Sequence, residues 1–363
     1  MKTLFLGDLS PTEVTNPLFE AGDMTRLFSD SISLFPGNDA CMVNLECALT
    51  DRTSPIDKIG PALKATPKVG AVLAELGIRY CGLSNNHFFD YGEPGAADTL
   101  RVLDEAGIQY TGFGSSYADS RRNLLIHNGG ETLCVIAVCE HEYSYAIADR
   151  MGCRPFDPYD TISDIRAARQ SADRVVVMYH GGKEYCPYPS PRLRKLCHAM
   201  AENGADMVLC QHSHCIGCYE KVHDCHILYG QGNFHFVKPR FSVPEMWNQS
   251  LAVRYDTTTH AISFIPLVNT ETGIALAAGT EKETIQTGFE TRCRALASDV
   301  WERGWHDFCE ENRQRYIGAM QQAFAETDGG VPGKMFGHYI DCEAHFDVLK
   351  ELCPTAHAAK KTY

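Results

Sequence analysis

The chain has 363 residues, enough for one large domain with an appendage, or for two domains at roughly 150 residues each. Apolar residues make up 44% and charged residues 22%, proportions that exclude wholesale disorder. Lysine and arginine total 33 against 46 acidic residues, a net charge of -13. That balance excludes a generic binder of nucleic acid or anionic membrane, which needs a basic footprint. It leaves room for an anionic substrate held locally by a metal.

No apolar run reaches the roughly 18 residues that span a bilayer. The opening MKTLFLGDLSPTE meets Asp8 too soon for a secretory leader. A soluble, cytoplasmic protein without membrane insertion is expected. The 16 cysteines are spread along the chain, many in strand-like runs such as Cys41, Cys81, Cys134 and Cys210. They read as buried free thiols in a reducing compartment.

Short apolar runs predict strands at 3–6, 40–43, 80–83, 133–138, 174–178, 206–210 and 226–229. Helical patterns lie between them, over 67–76, 95–106, 160–170 and 191–203. The first two close on Gly-Ile pairs, Gly77-Ile78 and Gly107-Ile108, the signature of a helix stop followed by a strand. Strands alternating with helices predict an α/β sheet covered on both faces. Two further strands are expected at 250–255 and 261–267. From Glu281 onward the pattern is helical, over 289–305 and 305–326, with a break at Gly329–Gly333, a last helix over 342–352 and a frayed tail from His357. The boundary is placed near 275, giving units 1–275 and 276–363. Trp301, Trp305, Phe308, Tyr316 and Phe324 fall at helical spacing, as core or interface packing does, and a homodimer through these helices is one reading.

Ligands of open α/β sheets gather at the carboxyl ends of strands. Asp8 follows the first strand, Asn44 and Glu46 the second, and Asn85, Asn86, His87 and Asp90 the third. His180, then His212 with His214, then Asn233 follow later ones. Imidazole, carboxylate and amide donors together suit divalent cations such as Zn, Mn, Fe or Co. His212-x-His214, if extended, sends both rings to one side. Glu140, His141 and Glu142 also follow a strand and are expected to line the site. Cys215-Ile-Gly-Cys218 with His223, Cys225 or His226 is a rival metal reading without full ribbon spacing.

The motifs GD at 7–8, NLE at 44–46, NNHFFDYG at 85–92, HGGKEY at 180–185, GAD…QHSHC at 204–215 and YGQGNFHF at 229–236, in this order, resemble the CapA family over about residues 1–268. That family is associated with poly-γ-glutamate capsule biosynthesis and has the metallo-dependent phosphatase fold. The resemblance implies a four-layer α/β/β/α sandwich with the helical extension left unexplained. It implies one metal on Asp8 and His214, another on Asn86, His180 and His212, and Glu46 bridging. His87 would be an acid or electrostatic stabiliser, oriented by Asp90. Ser10 stands where such proteins place a histidine, so the first position would be weak, empty, or filled by a hard ion such as Mg or Ca. One or two divalent ions are therefore expected.

Such an ion activates water and polarises a phosphoryl or carbonyl oxygen. The expected protein is a metal-dependent hydrolase of a phosphoester or of a γ-glutamyl or peptide-like amide. The alternatives are a metal-dependent peptide epimerase, or a non-catalytic component that binds an anionic polymer. Lys183, Glu184 and Tyr185 beyond His180 are candidate substrate-binding residues, with Asn233 and Arg240; Trp247 is a further candidate to cap the pocket.

Overall fold

The structure is a computed structural model that describes residues 1–325 and 331–354. Two sheets face each other. The first runs Ile274–Leu276, Ala261–Asn269, Gln249–Asp256, Lys2–Leu9, Ala40–Leu45, Tyr80–Gly82 and Gln109–Thr111, with Asn233–His235 joined to the end of Lys2–Leu9. The second runs Tyr219–Val222, Cys225–Leu228, Met207–Gln211, Arg174–His180, Glu131–Cys139 and Leu124–Asn128. The central strands of both sheets are parallel; antiparallel strands close both edges of the second sheet and one edge of the first, whose other edge is the parallel strand Gln109–Thr111.

Period-two alternation sorts the apolar residues into layers. Leu4, Leu6, Cys41 and Val43 point outward against Leu73, Val102 and Leu103, which lie on helices Val69–Leu76 and Gly92–Glu105. Their neighbours Phe5 and Met42 point inward and meet Val135, Ala137, Val176 and Met178 of the second sheet. Ile136, Val138, Val175 and Val177 then face Ile165, Leu193 and Cys197 of helices Pro158–Ala168 and Pro191–Glu202. The order is helix, sheet, sheet, helix. Parallel strands buried on both faces need such unbroken apolar runs, which is why they stood out in the sequence.

Gly77 ends the first of these helices in the left-handed conformation, φ 91°, as its Gly-Ile pair predicted. All sixteen cysteines are free, and fourteen are buried. No helix among the described residues is long and apolar enough to cross a membrane. Beyond Ile274–Leu276 come helices Gly279–Ala295, Val300–Glu311, Arg313–Ala325, Val331–Asp341 and Glu343–Leu352. Trp301 joins the outer core of the second sheet. Trp305, Tyr316, Tyr339 and Val348 form a separate apolar cluster over Cys186 and Tyr188, so these aromatics pack within the chain. Phe324 remains exposed. Of the break predicted at 329–333, residues 331–333 instead open the helix Val331–Asp341. Residues 329 and 330 of that break, and the tail from 357, lie outside the described residues.

Candidate metal centre

Register builds the site. In the first sheet Asp8 pairs with Asn44 on one side and Asn233 on the other. In the second, Cys139, His180 and Gln211 share a row, so Glu140 and His212 emerge just beyond it. These two rows of strand ends meet at one edge of the sandwich.

Asp8 is fully buried; it accepts from the Asn44 amide at 2.7 Å and from the His212 backbone N–H at 3.0 Å. Burial pushes its carboxyl up to about 6, against the downward pull of those two bonds. Asn44 lies 3.1 Å from His180 Nδ1 and accepts from Asn85, whose amide also reaches the Leu45 carbonyl. His180 Nε2 lies 2.9 Å from Asn86 Oδ1, 3.2 Å from His212 Nδ1 and 3.5 Å from a Glu46 oxygen. His214 Nδ1 lies 2.8 Å from Asn233 Oδ1 and 3.7 Å from Asp8. Burial, reinforced by the neighbouring histidines, holds His180 well below its ordinary value, and burial takes His214 down to about 3. Both rings are therefore neutral, the form that binds metal.

Glu46 is the outlier. It is fully buried, and neither carboxylate oxygen has a hydrogen-bond partner. Burial, then the negative charges of Asp8, Glu184 and Glu142, push its carboxyl well above the ordinary range. A buried unpaired carboxylate is costly, and a cation is the partner that would satisfy it. Two groups of donor atoms share it, Asp8–Glu46–His214 and Glu46–His180–His212, each with its atoms within 4.8 Å of one another. The residues present thus fit one or two divalent ions, with Glu46 between them. Ser10 is buried with an unpartnered hydroxyl; it belongs to neither group.

The rings of His212 and His214 do converge, with centroids 6.0 Å apart, but by another route than extended alternation. Both residues lie past the end of Met207–Gln211, and both have left-handed backbone, φ 81° and 51°. Non-glycine residues there carry strain of about 1–3 kcal/mol each, a cost that clusters at functional sites. Gly7 sets the depth of Asp8. A Cβ on it would lie 2.0 Å from the Gly232 carbonyl oxygen, so strand Asn233–His235 can approach only a glycine. Gly7→Ala is expected to cost about 3 kcal/mol and to weaken metal binding as Asp8 is displaced from Asn233. Urea denaturation with and without metal checks this; a wild-type midpoint would remove the argument.

His87 Nδ1 lies 2.7 Å from Asp90 Oδ2, and Asp90 also accepts from Lys58 Nζ at 2.5 Å and the Leu63 N–H at 2.7 Å. Burial and the Lys58 charge hold His87 below its ordinary value despite Asp90. Lys183 is buried against Glu184 at 3.3 Å. Tyr185 lies over Trp247, ring centroids 6.1 Å apart, and Trp247 in turn lies 4.4 Å from His214. Arg240 is not brought to the site: its exposed side chain donates to the Asn269 carbonyl and lies 3.7 Å from Glu245.

Residues absent from the sequence-derived set, or given another role there, complete the surroundings. Lys58 comes from an irregular loop. Glu142, expected only to line the site, accepts from the Asn86 amide at 3.1 Å and lies 3.5 Å from His212 Nε2. It also forms a third donor group with His338 and His345 of the C-terminal helices. Cys215 and Cys218 are buried, Cys218 donating to the Pro187 carbonyl. Among the described residues they form no metal-holding group with His223, Cys225 or His226.

An α/β sandwich with carboxylate–histidine groups at its strand ends is the architecture of the metallo-dependent phosphatase-like superfamily. Residues 2–238 match the family described as bacterial capsule synthesis protein PGA_cap, and the chain belongs to that family. It is 31% identical over 180 residues to the capsule biosynthesis protein CapA of Bacillus anthracis, covering 48% of this chain and 44% of the relative. It is 28% identical over 237 residues to the PGA biosynthesis protein CapA of Bacillus subtilis, covering 64% and 62%. The chain thus matches less than two thirds of the length of either relative. A solved structure of a hypothetical protein from Thermus thermophilus is 16% identical, with a TM-score of 0.47, over 73% of this chain and 98% of that one.

Proposed function

We propose that the chain is a metal-dependent hydrolase of capsule-polymer metabolism, cleaving a γ-glutamyl or peptide-like amide or a phosphoester. The observation that carries the hydrolase reading is Glu46, a buried carboxylate without a hydrogen-bond partner between two sets of imidazoles and carboxylates. The names of the Bacillus relatives support the capsule setting. Asp8, Glu46 and His214 would hold one ion, and Glu46, Asn86, His180 and His212 the other. When bound, such ions supply Lewis acidity and an activated water.

The chain's own residues do the rest. A carboxylate only accepts hydrogen bonds, so the Asp90 contact places the His87 proton on Nδ1 and leaves Nε2 to face a substrate as a base. Having taken a proton, the ring is the acid that serves the leaving group. Lys58 anchors Asp90 and the Asn86 carbonyl together, fixing His87 beside a proposed metal ligand. The same basic Nε2 favours a second reading, abstraction of an α-proton next to an activated amide carbonyl, that is, epimerisation.

A panel of phosphoesters, γ-glutamyl oligomers and peptides tests this, with and without chelator. Turnover that chelator stops and Mn²⁺ or Zn²⁺ restores is expected. Turnover indifferent to chelator would refute the proposal, and metal-dependent binding of polyglutamate without turnover would leave a binding component instead.

A further inference from the structure

The segment beyond the family match forms one wall of the cavity at this site. Its helices are docked, not trailing. Asp347 bonds Ser190 at 2.5 Å and Arg192 at 2.8 Å, and Glu343 takes both the ring and the backbone N–H of His141. Between them and the strand ends lies a cavity of about 160 Å³. Asn86, His87 and Glu142 line it from one side, and Arg315, His338 and His345 from the other.

Most charges around it have partners. Lys58 is taken by Asp90, Lys183 by Glu184, and Glu142 by the Asn86 amide. Arg315 is different. Its Nε donates to the Tyr339 hydroxyl at 3.1 Å, and among the described residues its guanidinium makes no ion pair. Its side chain is solvent-accessible where it lines the cavity, and its planar fork matches an oxyanion with two parallel bonds. Glu184 lines the same cavity, its charge met by Lys183.

The geometry points to an oxyanion subsite anchored by Arg315, with His338 beside it, that holds the carboxylate or phosphate of the substrate while the bond to be broken lies towards Asn86 and His87. This rests on the reading of that neighbourhood as the reacting centre. It assigns substrate selection to residues outside the matched family segment.

The test is calorimetric titration of the full, chelator-treated chain with glutarate and with inorganic phosphate, so that bound metal contributes nothing. Wild type, Arg315→Ala, Arg315→Lys and the control Lys334→Ala are compared, since Lys334 pairs with Asp57 outside this cavity. Melting curves verify that each variant is folded. Losing the charged contacts is expected to weaken binding at least about tenfold in Arg315→Ala, with partial retention in Arg315→Lys and none lost in Lys334→Ala. The tighter of the two anions then names the oxyanion. Equal binding by Arg315→Ala and wild type, or no binding of either anion, overturns the subsite. His180→Ala is titrated in parallel: anion binding kept there, with metal lost, separates this proposal from the fate of the metal reading.

Discussion

His180→Ala is expected to strip the chain of divalent metal. The imidazole stands where the two sheets' contributions meet, within 3.5 Å of Asn86, His212 and Glu46. Removing only an outer partner of a ligand costs about 10–100-fold in affinity, so loss of this ring should cost more than about a hundredfold. Elemental mass spectrometry after dialysis reads the result, beside Asp8→Ala. If His180→Ala loses one ion and Asp8→Ala another, two positions exist despite Ser10. If Asp8→Ala keeps the wild-type content while His180→Ala is empty, the position without the usual histidine does not hold metal. Wild-type metal content in His180→Ala would sink the ligand assignment altogether.

Glu46→Gln should separate stability from binding with opposite signs. In the metal-free chain Glu46 is buried, neither of its oxygens has a hydrogen-bond partner, and its carboxyl keeps its proton well above the ordinary value of 4.5. A carboxyl with a raised folded pKa contributes stability that is fully present below its unfolded value and is lost as pH rises through the folded one. Asp8 behaves the same way between 3.8 and about 6. His180 and His214, with lowered values, act in reverse and cost stability as pH falls below 6.5. Comparing Glu46→Gln with wild type at each pH cancels those shared contributions. Without metal, the variant is expected to be the more stable by about 1–3 kcal/mol above pH 7. With Mn²⁺ or Zn²⁺ the order inverts, because the wild type alone gains the ion's binding energy. Thermal melts from pH 5 to 8, with and without metal, give the answer. A variant less stable than wild type in chelator at pH 8 would mean that Glu46 has a partner other than a cation.

Much of the architecture was readable from the chain itself. Parallel strands covered on both faces leave apolar runs too dense to miss, such as Arg174–His180, and polar residues right after them have few roles beyond the site. The short edge strands Leu124–Asn128, Tyr219–Val222 and Ile274–Leu276 were not anticipated, because half-exposed antiparallel strands carry weaker alternation. The convergence of His212 and His214 was anticipated for the wrong local reason, since a two-residue spacing does not disclose left-handed backbone. Lys58 was invisible because nothing in a proline-containing loop marks which lysine turns inward. Arg315, His338 and His345 were missed for a similar reason. On an amphipathic helix the polar stripe reads alike whether it faces water or a cavity, and only tertiary docking tells the two apart.

The chain has three tryptophans, and their positions give it an internal optical reporter. Trp301 and Trp305 are buried in apolar clusters away from the strand-end histidines. Trp247 alone lies against His214, with the Lys238 ammonium 4.2 Å above its ring. Charge arriving at His214 changes the electric field across that one indole and hardly at all across the other two. Intrinsic emission, with Trp247→Phe as the blank, therefore follows occupancy of the Asp8–His214 side in unlabelled protein.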